Sequence, residues 1–198
     1  MNAIRSTREA QPHTTPSVTS SPTSRSGDPA EEPTTSRHPA GVAIAAGLTR
    51  IAIGWVFLWA FLDKTFGLGY ATPADRAWIE GGSPTAGFLS GVQGPFAELF
   101  NNMAGQAWAD WLFMIGLLGI GVALMLGVFM NLAAASGAVM LVLMWAAVLP
   151  LDNNPFMDDH LVYALVLGLL ALMGAGRYLG VGSYWEKLPF VKRFPILR

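Results

Sequence analysis

Four long apolar runs follow residue 40, and they constrain this chain more than anything else in it. They cover about residues 42–62, 111–130, 132–149 and 161–178. Helices of these lengths reach roughly 27–32 Å at ~1.5 Å per residue, the thickness of a bilayer core. A backbone in hydrocarbon must satisfy its own hydrogen bonds, so the expected fold is all-α, a four-transmembrane-helix bundle. Only 13% of residues are charged, about half the usual share for a soluble domain. There is no cysteine, which excludes disulfides, thiolate metal sites and persulfide relays.

Small residues indicate how the helices pack. Gly119, Ala123 and Gly127 share one face of the second run, and the third offers Ala133 with Gly137 and Ala134 with Ala138. The fourth has Ala164 with Gly168. Such stripes let helix backbones approach closely. Gly47, Arg50 and Gly54 share a face of the first run, so Arg50 is expected to point into the bundle. The second and third runs meet at Met130-Asn131 and form a tight antiparallel hairpin.

Charge sets the orientation. The N-terminal region carries Arg5, Arg8, Arg25 and Arg37, and the C-terminal one Arg177, Lys187, Lys192, Arg193 and Arg198. The connection between the first two runs has only Lys64 and Arg76, and residues 150–160 have no Lys or Arg. Both termini are therefore expected in the cytoplasm. Residues 1–40, half Ser, Thr and Pro, are expected as a disordered cytoplasmic tail. Residues 41–183 form the membrane domain, and 184–198 a basic cytoplasmic tail. Residues 63–110 are expected outside, as an amphipathic segment capping the bundle mouth or as a re-entrant one.

Arg50 is the first candidate for chemistry. Charge is costly inside hydrocarbon, so it contacts an anion or quinone carbonyl, or else snorkels or satisfies backbone carbonyls near Asn131. Asp63 and Lys64 end the first helix at the outer face. With Asp158, Asp159 and His160 at the start of the fourth they are candidates for a binding cluster at the mouth, or for plain ion pairing. Asp158 or Asp159 also suits a helix N-cap. Trp78 offers an indole to a quinone ring or to the bundle cap. His160 is the only histidine beyond residue 40, so no multi-histidine metal or bis-histidine haem site is expected within one chain. No nucleotide-binding motif and no basic stripe for nucleic acid is present.

RIAIGWVFLWAFLDKTFGLGY, WIEGGSPTAGFL, NPFMDDHLVYALVLGLLAL and GAGRYLG, in that order, resemble the DoxX/DoxD family of small bacterial membrane proteins. The resemblance covers about residues 45–190 and implies a four-helix protein of the bacterial plasma membrane. Some relatives are membrane subunits of thiosulfate:quinone oxidoreductase; others are linked to oxidative-stress complexes. It therefore implies a quinone-linked oxidoreductase subunit acting on a reduced sulfur compound such as thiosulfate, with quinone as partner and a second subunit or soluble redox enzyme beside it. The alternative is a non-catalytic membrane scaffold for redox or stress-response enzymes.

Overall fold

The computed structural model describes residues 39–197. The expectations for the N-terminal tail, with Arg5, Arg8, Arg25, Arg37, His13 and His38, and for Arg198 lie outside the described residues. Helix α1 (Ala40–Phe66) is followed by two 3-10 turns, Ala74–Arg76 and Trp78–Glu80, and by short helices α2 (Ala86–Leu89) and α3 (Ala97–Met103). Next come α4 (Ala107–Leu126), α5 (Met130–Ala147) and α6 (Asp159–Leu172). A 3-10 turn, Ala175–Arg177, leads to α7 (Gly182–Trp185), α8 (Pro189–Arg193) and a last 3-10 turn, Pro195–Leu197. Among the described residues there is no strand.

Three helices, α1, α4 and α5, are long and apolar enough to cross a membrane. Their outward sides expose large apolar residues, among them Val56, Ile115, Val122 and Val142, a surface that suits lipid and not water. The run expected at 111–130 forms one turn earlier, because Gly127 enters the left-handed region (φ 79°) and ends α4. The fourth run, expected at 161–178, yields only the 14 residues of α6. Gly174 (φ 61°) breaks it, and the 3-10 turn takes over. At ~1.5 Å per residue α6 is about 21 Å long, short of a ~30 Å bilayer core.

The long helices alternate in direction, with α1 packed on α4 and α5 on α6. The α1–α4 contact is backbone on backbone. A Cβ on Gly121 would lie 2.8 Å from Leu58 N, and one on Gly54 2.9 Å from Leu124 Cβ. Between α5 and α6 Gly137 makes room for a side chain: a Cβ there would lie 2.8 Å from Leu167 Cδ1. Gly119 and Gly168, expected on packing faces, instead face open space. Met114, Leu124 and Leu167 form the centre of the core, each with no exposed surface.

The segment 63–110 folds as a cap. Leu89, Val92 and Phe100 bury themselves against Ala147 at the end of α5. Residues 184–197, expected as a tail, are folded against the opposite end: Trp185 packs 4.4 Å from Phe129, between α4 and α5, and donates to Leu197 O (2.6 Å).

Candidate functional site

The residues nominated from the sequence make five different sets of contacts. Arg50 is fully buried. Its Nη1 donates to Leu124 O and to Met125 O (3.1 Å), and its Nη2 to Tyr178 O (3.0 Å) and Leu179 O (3.1 Å). A helix ends with four carbonyls lacking intrahelical partners, and here each is satisfied. Ala123 O accepts from the Gly127 and Val128 amides, and Leu126 O from the Val181 amide. Arg50 takes the two between. The guanidinium also sits at the negative end of the helix dipole, so its charge is balanced by carbonyls and not by a carboxylate.

Glycine makes that fit. A Cβ on Gly127 would lie 3.1 Å from Arg50 Nη1, and one on Gly180 2.8 Å from Nη2. Gly182 abuts the carbonyls of Gly176 and Gly127. The GAGRYLGVG stretch is therefore a close-packed seat for the α4 terminus. Of the two readings of Arg50, the carbonyl-satisfying one describes its contacts; the carbonyls belong to 124–125 and 178–179.

Asp63 is also buried. Its Oδ1 accepts from Tyr70 N (3.2 Å) and its Oδ2 from Ala71 N (3.1 Å), which organises the glycine-rich turn after α1. Gly67, left-handed at φ 62°, closes the helix by donating to Asp63 O. Asp158 caps α6 by accepting from Leu161 N (3.2 Å), and its other oxygen meets His160 Nδ1 at 2.6 Å. Asp158, Asp159 and His160 offer ligand atoms within 4.8 Å of one another. No hydrogen bond or ion pair among the described residues joins this trio to Asp63 or Lys64. Trp78 packs edge-on against Trp111 (4.7 Å) and against the core.

Lys64 stands apart. It lines a groove of about 620 Å³ whose walls are α4 and α5 and whose roof is α2 and α3. The walls are apolar, including Leu112, Phe113, Ile120, Val139, Met140 and Leu143. The polar side chains lining it are Lys64, Thr85 and Ser136. Ser136 Oγ already donates to Leu132 O (2.7 Å) and Thr85 Oγ1 to Asp110 Oδ1 (2.6 Å). Lys64 makes no hydrogen bond or ion pair among the described residues; the neighbouring Asp63 carboxylate is the charge that acts on it. The groove thus presents one ammonium and the lone pairs of two hydroxyls, Thr85 and Ser136.

Asp110 was not singled out from the sequence. Buried in the first turn of α4, its Oδ1 accepts from Ser83 Oγ (2.9 Å), Thr85 N (3.0 Å) and Thr85 Oγ1. Ser83 Oγ in turn accepts from Ala86 N (3.1 Å). This network pins the start of α2, and with it the groove roof, to α4. The signal was an aspartate between two tryptophans at the head of an apolar run, with Ser83-Pro84-Thr85 upstream.

Comparison of the chain with protein-family models, curated proteins and solved structures finds no match.

Proposed function

We propose that this chain is a membrane-embedded subunit of a quinone-linked oxidoreductase, of the DoxX/DoxD kind, and that the α4–α5 groove takes the quinone. One observation carries the reading: an apolar groove of about 620 Å³ with a single ammonium, Lys64, at its roofed end. Ligand sites of about 300–1,000 Å³ with apolar walls and a few placed polar groups are the usual form for molecules of this size. The isoprenoid tail lies between α4 and α5, where it can pass from the lipid, and Lys64 donates to a ring carbonyl. Reduction of quinone to quinol takes two electrons and two protons. Two thiosulfates supply the electrons by coupling through a new S–S bond to tetrathionate, and water at the outer face supplies the two protons.

Four crossings belong to this reading. Helix α6 with the 3-10 turn Ala175–Arg177 and the residues between them together approach the thickness that α6 alone lacks. Both termini then lie on the cytoplasmic side of the plasma membrane, and the Lys64 end of the bundle faces outward. The bilayer is the first partner, with a second redox subunit on the outer side.

The test is thiosulfate-dependent quinone reduction by the purified protein in liposomes, alone and with whatever protein co-purifies after mild extraction. Turnover supports the oxidoreductase. Absence of turnover in both, with soluble enzymes still bound, supports the scaffold reading.

A further inference from the structure

The end of the bundle opposite Lys64 carries a second surface, which the groove does not involve. Residues 182–197 fold there as α7, α8 and a 3-10 turn. Val191 is fully buried beneath them, Trp185 packs on Phe129, and the Val181 amide donates to Leu126 O (2.9 Å). Leu126 ends α4 and Phe129 precedes α5, so the segment lies at the level where two membrane-crossing helices stop. That level is the boundary between hydrocarbon and headgroups.

What the segment exposes fits that level. Tyr184 is 71% exposed, Phe190 47%, Phe194 53% and Ile196 64%. Between them stand Lys187, Lys192 and Arg193, all exposed. Lys187 Nζ lies 5.2 Å from the Tyr184 ring and the Arg193 guanidinium 6.0 Å from that of Phe194, and none of the three has an acidic partner among the described residues. The one glutamate, Glu186, is held by Arg177 Nε at 2.8 and 2.9 Å. Aromatic and aliphatic side chains interleaved with unpaired cations are how a segment lies in the membrane interface over anionic lipid.

We propose that residues 182–197 form an interfacial platform that binds anionic phospholipid, the three cations taking headgroup phosphates while the exposed rings and Ile196 enter the acyl boundary. The occupant is lipid and not a soluble protein, because charge and apolar area are interleaved at the depth of the headgroups.

The experiment uses the full chain reconstituted in bilayers of equal phosphatidylglycerol and phosphatidylcholine. Lipid retained after mild detergent extraction is quantified by mass spectrometry at low and high salt. Wild type is expected to enrich phosphatidylglycerol, and a K187Q/K192Q/R193Q variant to lose that enrichment, by about fivefold for each charge removed. Salt near 1 M, with a screening length of about 3 Å, should weaken it in wild type. The R76Q variant, at the other end of the bundle, should retain it. Helicity and elution profile show that each variant is folded. Undiminished enrichment in the folded triple variant, or in wild type at high salt, overturns the proposal. So does a triple variant that keeps phosphatidylglycerol but loses a co-purifying soluble protein.

Discussion

Arg50 shows how a charge within a helix long and apolar enough to cross a membrane can be structural. Its four carbonyl acceptors come from two segments far apart in sequence, at 124–125 and 178–179, and a buried carbonyl left unpaired costs ~1–3 kcal/mol. Arg50→Gln should therefore lower stability by about 3 kcal/mol or more, read as loss of a monodisperse, helical protein in detergent. A folded Arg50→Gln protein that lacks only quinone reduction would show instead that Arg50 acts at a ligand. The helical period of Gly47, Arg50 and Gly54 was enough to say that Arg50 faces inward. Its partners were not legible, because no local pattern links position 50 to a turn at 178. Asp110 is the complementary case: a buried acid that holds Ser83 and Thr85. Asp110→Ala should cost about 2 kcal/mol, the desolvation of donors left unpaired, and should raise hydrogen exchange in residues 83–89 before the rest of the bundle.

At the scale of elements, the number and order of the long helices could be read from apolar runs, but their ends were set by glycine conformation. Gly127 and Gly174 stop α4 and α6 with positive φ, and nothing in an apolar average marks which glycine will do so. The same holds for packing. Gly119 fits the four-residue stripe, yet Gly121 carries the contact. Gly121→Ala should therefore destabilise by about 1–3 kcal/mol through overpacking against Leu58. Gly119→Ala should be neutral or slightly stabilising, since alanine is the better helix former by ~1 kcal/mol. Thermal unfolding of the two variants in one detergent separates them; equal melting points would mean that the α1–α4 crossing is wrong. Asp158→Ala removes the cap of α6 and should cost about 1 kcal/mol, measured the same way.

At the scale of the whole molecule, the bundle has a different task at each end. One end holds the glycine seat, Arg50 and the C-terminal platform; the other holds the roofed groove with Lys64. The sequence separated Arg50 from Asp63 and Lys64 by ~20 Å of helix, and that division holds. It grouped Lys64 with Asp63, although adjacent residues on a helix diverge by about 100°; only the folded roof shows which one meets the groove. Nor did it show the groove, which arises where α4 and α5 touch less closely than their outer neighbours do.

The most direct test of the central claim is binding of a short-tail quinone to the purified protein, followed by tryptophan quenching. Wild type should bind saturably. Ala135 lines the groove on α5, and Ala135→Trp, which fills it, should abolish binding. Lys64→Gln should weaken it about tenfold, the loss of one charged hydrogen bond. Saturable binding that is unchanged in both folded variants would contradict the account and place the quinone elsewhere.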